Sequence, residues 1–407
     1  MTAPRRARLV LVDAAGRVLG ALPPFEVEPP WWQEVAAVVA GARARYAIEI
    51  TVLRLLEAQR PRPPGGDVTY LAQVAAAPST PALTPLGRES ATALQPHDRR
   101  AAYAEVGGPD ADLAWARGAL AAVGRELVAA TQIRTWNLSS IWRLELADNS
   151  LAWLKVVPAF MLTEGALLLA LDPAPVAGVV AHDARRTLLE HVPGEDLYEA
   201  SLAARVAMVE KLVALQAREA TRLEPLLALG VPDWRAPRLA AANEGVVRRV
   251  GGELDAAALV GLRRWVAGIP DRFEQLAACG IPDTLVHGDF HGGNVRGASD
   301  TTELTLVDFA DAAIGHPLLD AWVLINTSPE HMRVGVTSAF ARAWRERLPD
   351  SDPARALALL EPLGHLRQAA VYLQMLDAIE PSERPYHADD PLICLQRAVR
   401  VIERAAE

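Results

Sequence analysis

The pattern of hydrophobic and polar positions in the first 77 residues is mostly strand-like, and alternation with a period of two is typical of half-buried strands. Between the strand-like segments, apolar residues recur at helical spacing in Trp31–Tyr46. Strands are predicted over Arg8–Val12 and Arg17–Leu22, which flank the turn Asp13–Gly16, over Ile48–Leu56, which alternates, and over Asp67–Ala75. We therefore expect residues 1–77 to form a small α+β domain.

A stretch rich in proline, serine, threonine and glycine follows over residues 78–108, and this composition is typical of a linker. The pattern then predicts a helix over Asp110–Val123, with Asp110 as its N-cap directly after Pro109. We assign the linker and this helix to one connecting region, residues 78–130.

Residues 131–192 are predicted to be rich in strands around a single helix, Thr163–Leu171. The predicted strands are Ile133–Trp136, Ile141–Leu146, Leu151–Val157, Val179–Ala181 and Thr187–Leu189. From residue 193 to 407 the apolar spacing is mainly helical. The predicted helices there are Leu202–Ala217, Ala256–Ile269, Pro270–Cys279, Val334–Leu348, Ala354–Ile379 and Leu392–Ala406.

Composition narrows the class of protein. The net charge of −9 disfavours general nucleic-acid binding. The two cysteines, Cys279 and Cys394, form no CxxC pair, so we expect neither a disulfide framework nor a zinc site. The apolar run at the N-terminus stops at Asp13 and no run reaches 18 residues, so we expect no signal peptide, no membrane span and a cytoplasmic enzyme.

Two short predicted strands, Thr284–Val286 and Leu304–Val307, each run into an acidic residue. Asp289 follows the first strand, Asp308 follows the second, and Asn294 comes five residues after Asp289. Phosphoryl transfer needs a carboxylate near the acceptor hydroxyl and oxygen ligands for Mg²⁺, which this set supplies. The spacing therefore predicts a phosphoryl-transfer site.

Lysine is rare in this chain, since arginine supplies almost all the basic charge and only Lys155 and Lys211 are lysines. Lys155 lies in the middle of an apolar predicted strand, where a buried ammonium needs a partner. Nucleotide phosphates and the carboxylate of Glu164, in the next predicted helix, would supply one. The alternative is a lysine on an edge strand that points to solvent.

The sequence from Val286 to Asp320 resembles the aminoglycoside phosphotransferase and choline-kinase-like family. The resemblance rests on His287-Gly288-Asp289, on Asn294, on Asp308-Phe309 and on Gly315-His316-Pro317-Leu318-Leu319-Asp320. It implies an α+β, bilobal, protein-kinase-like fold, preceded here by the small α+β domain. Residues 131–192 would form its β-rich N-lobe and 193–407 its helical C-lobe. It also implies ATP, Mg²⁺ and a small-molecule hydroxyl acceptor.

The same resemblance implies a role for each matching residue. Asp289 would be the catalytic base, and Asn294 and Asp308 would hold Mg²⁺. His287 and Asp320 would support the catalytic loop without touching substrate. The remaining residues would contact ATP: Lys155 and Glu164, Ser139 and Ser140 in a turn over the phosphates, and Glu190 and Val192 in the hinge that pairs with adenine.

The acceptor would lie near an acidic, proline-interrupted segment, residues 380–391. Asp377, Glu380 and Arg384 are the candidate contacts, and the acidic character would suit an aminoglycoside, an amino sugar or an amino alcohol. A solvated charged surface is the alternative for this segment.

Two other functional hypotheses remain open at this point. The chain could be a catalytically inactive nucleotide-binding or scaffold protein of the same fold. It could also be a metal-dependent hydrolase, because His287 and His291 flank Asp289 in HGDFH and residues 1–77 resemble a degenerate Nudix domain. That domain lacks the carboxylates of the Nudix helix, which argues against pyrophosphohydrolase activity.

Overall fold

The computed structural model describes residues 4–59, 64–76, 83–86, 95–173, 175–298 and 303–405. The chain divides into two compact units by its internal contacts. The first comprises Met1–Leu162, Val179–His191 and Leu376–Ala388, and the second comprises Thr163–Gly178, Val192–Met375 and Asp389–Glu407. The first is rich in strands and the second is mainly helical, which confirms the predicted α+β class. The predicted boundaries at residues 77, 130 and 192 stay predictions, and part of the predicted linker lies outside the described residues.

The first unit begins with a sheet in which β1 is central. Its strands are β1 Arg5–Val12, β2 Val18–Ala21, β3 Phe25–Val27, β4 Thr51–Ala58 and β5 Gly66–Gln73. β1 pairs antiparallel with β2 and β3 and parallel with β5, and β5 pairs antiparallel with β4. β3 was not predicted from the sequence, because three residues are too few for a periodic pattern.

Helix α1 of the first unit spans Ala36–Tyr46 and begins five residues later than the predicted helix. The residues before it pair with a strand of the second sheet. The Val35 N–H donates to the Ile133 carbonyl at 3.0 Å, and the Thr135 N–H donates to the Gln33 carbonyl at 3.1 Å. A long-range backbone pairing therefore replaces the first turn of the predicted helix.

The second sheet of the first unit is antiparallel, with strand order β6-β7-β8-β10-β9. These strands are β6 Leu127–Trp136, β7 Ser139–Leu146, β8 Leu151–Val156, β9 Val179–His182 and β10 Arg186–Glu190. Helix α2, Gly108–Ala122, precedes them and has Gly107 at its N-cap. The prediction of Asp110 as N-cap is wrong. Asp110 lies in the first turn, where its carboxylate accepts from the Gln73 amide at 2.7 Å.

A late segment of the chain, Leu376–Ala388, belongs to the first unit. Its Tyr386 packs against Trp32, with ring centroids 5.5 Å apart, and its hydroxyl donates to the Ala58 carbonyl at 2.6 Å. Tyr386 is part of the hydrophobic core of the first sheet. Residues far apart in sequence therefore share one core here.

The second unit is built mainly from helices. They are α3 Glu164–Leu171, α4 Leu202–Glu219, α5 Leu223–Ala228, α6 Ala236–Val250, α7 Ala256–Ala267, α8 Ile269–Ala277, α9 Leu318–Thr327, α10 Glu330–Arg347, α11 Pro353–Ala378 and α12 Asp390–Arg404. The last three residues of α11 are grouped with the first unit. α5, α6 and α9 were not predicted. No helix among the described residues is long and apolar enough to span a membrane.

Short strands interrupt the helices of the second unit. They are β11 Glu195–Asp196, β12 Thr284–Val286, β13 Val295–Gly297, β14 Thr305–Leu306 and β15 Ala313–Gly315. β12 pairs antiparallel with β15, and β13 pairs antiparallel with both β11 and β14. The loop between β12 and β13 is thereby held at both ends, and it carries the predicted catalytic residues.

Candidate active site

The loop after β12 turns sharply at Gly288, which has a φ of 91°. A Cβ built at this position would come within 1.9 Å of the Asp311 carbonyl oxygen. Only glycine combines this backbone conformation with so close an approach of another backbone group. The turn places Asp289 directly after it.

Asp320, in the first turn of α9, binds the backbone on the N-terminal side of Asp289. Its two carboxylate oxygens accept the N–H of His287 at 2.7 Å and the N–H of Gly288 at 2.9 Å. The Gln216 amide donates to the same carboxylate at 2.9 Å. Asp320 is fully buried, and its burial raises its pKa, an effect that the two backbone N–H groups oppose. Its carboxylate holds the loop and is closed to solvent.

The Asp289 carboxylate, in contrast, is 48% exposed and lies 3.4 Å from the His291 ring nitrogen Nε2. Burial acts to raise the pKa of Asp289, but the hydrogen bond from His291 and the charges of His291 and His287 outweigh it, so the pKa is lowered. Asp289 is therefore ionised at neutral pH and can accept a proton from a nearby hydroxyl.

Asn294 is bound to Asp289 through its side-chain amide. Its Nδ2 donates to the Asp289 carbonyl at 2.9 Å and approaches the carboxylate at 3.4 Å. Because the amide nitrogen faces Asp289, the amide oxygen faces away from it. Asn294 also accepts the Val307 N–H on its carbonyl at 3.0 Å, which ties it to the residue before Asp308.

Asp308 follows β14 with a φ of 65°, a left-handed conformation that is uncommon for residues other than glycine. Groups on both sides hold this backbone. The His287 ring lies 3.0 Å from the Val307 carbonyl, and the Phe309 N–H donates to the buried Glu164 carboxylate at 2.9 Å. The Asp308 carboxylate and the Asn294 amide oxygen are of the donor types that fit Mg²⁺.

The two histidines of HGDFH do not converge on a common point. His287 is buried against the Phe309 ring, with centroids 4.4 Å apart, whereas His291 accepts the Gly293 N–H on Nδ1 at 2.9 Å. Across the described ranges, no group of three or more His, Cys, Asp or Glu side chains could hold a metal. This geometry does not favour the hydrolase hypothesis built on HGDFH.

Lys155 lies on β8 of the first unit, between Ile141 of β7 and Thr187 of β10. It is 7% exposed. The alternative of a solvent-facing lysine on an edge strand is therefore wrong, because β8 is an interior strand. Glu164 belongs to the second unit, so its predicted pairing with Lys155 stays a prediction.

The predicted phosphate-covering turn joins β6 to β7. Ser139 Oγ accepts from the Trp136 indole at 3.0 Å, and Ser140 Oγ accepts from the Trp142 indole at 3.1 Å. Each hydroxyl keeps its hydrogen for a further acceptor. The Asn137 N–H donates to both carboxylate oxygens of Glu383, at 2.9 and 3.1 Å.

The predicted hinge residues flank the end of β10. Glu190 forms an ion pair with Arg125 at 3.0 Å in the first unit, and the Val192 carbonyl accepts from Arg296 at 3.3 Å in the second. Between them in sequence, the His191 ring stacks on Trp153 with centroids 6.5 Å apart. Their role in adenine binding stays a prediction.

The predicted acceptor residues belong to the first unit. Glu380 is 5% exposed and pairs with the buried Arg100 at 3.1 Å. Arg384 begins the short 3₁₀ turn Arg384–Tyr386, and Asp377 is exposed near the end of α11. Glu380 would have to leave Arg100 before it could bind a substrate amine.

Residues 142–359, more than half of the chain, match the model of the phosphotransferase enzyme family. The chain belongs to this family. It is a small-molecule kinase, as the sequence predicts. No curated protein matches the chain.

Two solved structures resemble this phosphotransferase. A macrolide 2′-phosphotransferase type I is 16% identical with a TM-score of 0.51, and the match covers 70% of this chain and 97% of that chain. The Plasmodium vivax ethanolamine kinase is 10% identical with a TM-score of 0.50, over 66% of this chain and 82% of that chain. These likenesses confirm the protein-kinase-like fold. The Nudix resemblance of residues 1–77 stays a prediction.

Sequence reasoning did not indicate the partners of two buried residues, Glu383 and Arg367, that touch predicted functional loops of this phosphotransferase. Glu383 binds the Asn137 N–H, and Arg367 of α11 donates to the Gly288 carbonyl at 2.9 Å. Arg367 is only 3% exposed. A lone arginine between apolar helix positions was a signal for burial, but it did not indicate a partner 79 residues away.

Proposed function

We propose that this phosphotransferase transfers the γ-phosphoryl group of ATP, in the presence of Mg²⁺, to a hydroxyl of a small amine-bearing molecule. The observation that carries the proposal is the geometry of Asp289. Its carboxylate is ionised and half-exposed, it follows a rigid turn, and Asn294 bonds to it. That arrangement suits a group that accepts a proton from a bound hydroxyl.

In the proposed reaction the acceptor oxygen forms a bond to the γ-phosphorus, and the bond from that phosphorus to the bridging oxygen of ADP breaks. The hydroxyl proton passes to the Asp289 carboxylate, and ADP keeps the bonding electrons. Phosphoryl transfer of this kind depends mainly on positioning and on charge stabilisation. Gly288 and Asp320 contribute to the positioning because they hold the backbone before Asp289.

Asn294 and Asp308 are the proposed Mg²⁺ ligands. The Asn294 amide oxygen faces away from Asp289, and the left-handed backbone at Asp308 is braced on both sides by His287 and Glu164. Bound Mg²⁺ would neutralise charge on the nucleotide phosphates. His287 and Asp320 are proposed to act only through the loop that they support.

ATP contacts are proposed for Lys155, Glu164, Ser139, Ser140, Glu190 and Val192. A buried ammonium on an interior strand supports a phosphate contact for Lys155, with Glu164 as its carboxylate partner. Ser139 and Ser140 each keep a hydroxyl hydrogen to donate to phosphate oxygens. Glu190 and Val192 are proposed to pair with the adenine through their backbone groups.

The acceptor is proposed to be a cation, such as an aminoglycoside, an amino sugar or an amino alcohol. The exposed carboxylate of Asp377 supports this class, and Asp377, Glu380 and Arg384 are the candidate contacts. The hypothesis of an inactive nucleotide-binding protein of the same fold is not favoured, because Asp289, Asn294, Asp308 and Lys155 are all present.

The test is incubation of the full-length protein with ATP, Mg²⁺ and a panel of amino sugars, aminoglycosides and amino alcohols. Mass spectrometry would detect a product heavier by one phosphoryl group. Product that requires both Mg²⁺ and intact Asp289 supports the proposal. ATP binding without product on any acceptor favours the inactive protein, and loss of both ATP binding and product refutes the proposal.

A further inference from the structure

A buried arginine also binds the backbone of the loop that carries Asp289. Arg367 Nη1 donates to the Gly288 carbonyl at 2.9 Å from α11. Asp320 meanwhile accepts the N–H groups of His287 and Gly288. Gly288 is therefore bound through its N–H and through its carbonyl by two different helices. Asp320 thus holds the peptide group before Gly288, and Arg367 holds the next peptide group, which leads into Asp289.

Arg367 is itself held in position by the second unit. Its guanidinium lies over the Trp234 ring, 5.7 Å from the centroid. Trp234 is anchored in turn, because its N–H donates to the Ile314 carbonyl of β15 at 2.7 Å. Because β15 pairs with β12, Trp234 is bonded to the same pair of strands that leads into the catalytic loop.

The charge of Arg367 also fits its surroundings. Asp311, Asp320 and Asp289 are the carboxylates whose charges act on this guanidinium. Three carboxylates close to one loop repel one another, and a buried cation among them offsets that repulsion. The hydrogen bond and the charge thus favour the same loop conformation.

We infer that Arg367 is a positioning residue, which fixes the direction of the Asp289 carboxylate by holding the Gly288 carbonyl. The inference rests on the proposed role of Asp289. Arg367 itself contacts neither the acceptor nor ATP in this scheme. Its loss should therefore lower the rate of transfer and leave nucleotide binding intact.

The test compares Arg367→Met with a matched control, Arg5→Met. Arg5 is also a fully buried arginine that donates to backbone carbonyls, those of Trp31 and Glu34, and it lies over the Tyr70 ring at 6.0 Å. It belongs to the first sheet of the first unit. Both variants lose stability, because each leaves buried carbonyl groups unpaired.

Only Arg367→Met is expected to lower kcat, by about 10- to 100-fold, with the KM for ATP changed by less than about twofold. Arg367→Lys keeps the charge and one donor but loses the planar contact with Trp234, so its kcat should be intermediate. Equal falls in kcat for Arg367→Met and Arg5→Met, measured well below both melting temperatures, would overturn the inference.

A second measurement does not depend on turnover. Hydrogen–deuterium exchange over residues 284–294 should be faster in Arg367→Met than in the wild type, and unchanged in Arg5→Met. Unchanged exchange in Arg367→Met overturns the positioning role even if no acceptor is ever found. Faster exchange supports it, and absence of wild-type turnover then counts against the proposed function alone. If Arg367→Met does not fold, Arg367→Lys takes its place in both measurements.

Discussion

Two aspartates of the candidate site have opposite environments. Asp320 is fully buried and accepts three hydrogen bonds, whereas Asp289 is about half-exposed and is approached by His291. Burial raises the pKa of Asp320, while the histidines lower the pKa of Asp289. The buried carboxylate can only hold the loop, and the exposed one can exchange a proton with a bound molecule.

Replacement of Asp289 by asparagine removes the proton acceptor and keeps the side-chain volume. We expect kcat to fall by about 10²- to 10⁴-fold, with little change in ATP affinity. Steady-state kinetics and ATP titration would measure both. Asp67→Asn is a matched control, since Asp67 is 50% exposed and lies in the first sheet. Full activity of Asp289→Asn would refute the assignment of the base.

Glu383 should make stability depend on pH. Burial raises its pKa from 4.5 to about 8, against the opposing effect of the Asn137 N–H. Between these values the folded state keeps a proton that the unfolded state releases. The free energy of unfolding should therefore fall as pH rises through this window, by up to about 1.4 kcal/mol per pH unit.

The variant Glu383→Gln cannot titrate and isolates this effect. Urea unfolding from pH 5 to 8 should show the wild type losing stability relative to Glu383→Gln as the pH rises. Parallel pH dependences for the two proteins would show that Glu383 is not protonated in the folded state.

The residues from which the sequence predicted a phosphoryl-transfer site are close together in the chain. Asp289, Asn294 and Asp308 lie within 20 residues of one another, so their spacing alone indicated a site. Arg367 lies 79 residues from Gly288, and Glu383 lies 246 residues from Asn137. No local pattern contains such pairings, because they arise only when the chain has folded.

At the scale of elements, the loop between β12 and β13 depends on one glycine. Gly288 combines a φ of 91° with a close approach to the Asp311 carbonyl. Asp320 and Arg367 then bind the peptide groups of this residue. The conformation of the loop is therefore set by contacts to the backbone of Gly288.

Gly288→Ala should reduce both stability and activity. The left-handed backbone alone costs about 1–2 kcal/mol with a Cβ, and the clash with Asp311 adds to it. Gly124→Ala is the matched control, because Gly124 has a φ of 76° with open space around its Cβ position. Chemical denaturation and kinetics should show a larger loss of stability for Gly288→Ala and a fall in kcat for that variant alone. Equal losses would contradict the role of the clash.

Several helices of the second unit were predicted from the sequence within a few residues of their observed bounds. α4 and α7 were found close to their observed bounds. α9 was missed because it is buried on nearly all sides and shows no helical alternation of apolar and polar residues. α1 was placed too early because residues 33–35 pair with β6, and pairing over 100 residues leaves no local signal.

At the scale of the whole molecule, the first unit joins segments from three parts of the chain. The two sheets are connected by Gln132 of β6, which is 3% exposed. Its amide accepts the Val52 N–H at 2.9 Å and donates to the Val52 carbonyl at 2.7 Å. The first sheet is therefore bonded to the second within one unit.

Gln132→Ala should lower the free energy of unfolding by about 2–4 kcal/mol, because both backbone groups of Val52 would be left buried and unpaired. Urea unfolding followed by tryptophan fluorescence would measure the loss. Gln59→Ala, at an exposed position beside β4, should change stability by less than about 0.5 kcal/mol. A similarly small change for Gln132→Ala would show that the two sheets do not depend on this bond.

The sequence by itself determined the class of fold and the family, and it supplied the prediction of the reacting groups, because the motif is local and its residue types suit phosphoryl transfer. The tertiary structure decided how those groups are held. Asp320, Glu164 and Arg367 act on the loops around Asp289 and Asp308 through hydrogen bonds across 32 to 145 residues. Such bonds depend on the packing of helices against short strands. This packing arises only in the folded chain and cannot be read from the spacing of residues in the sequence.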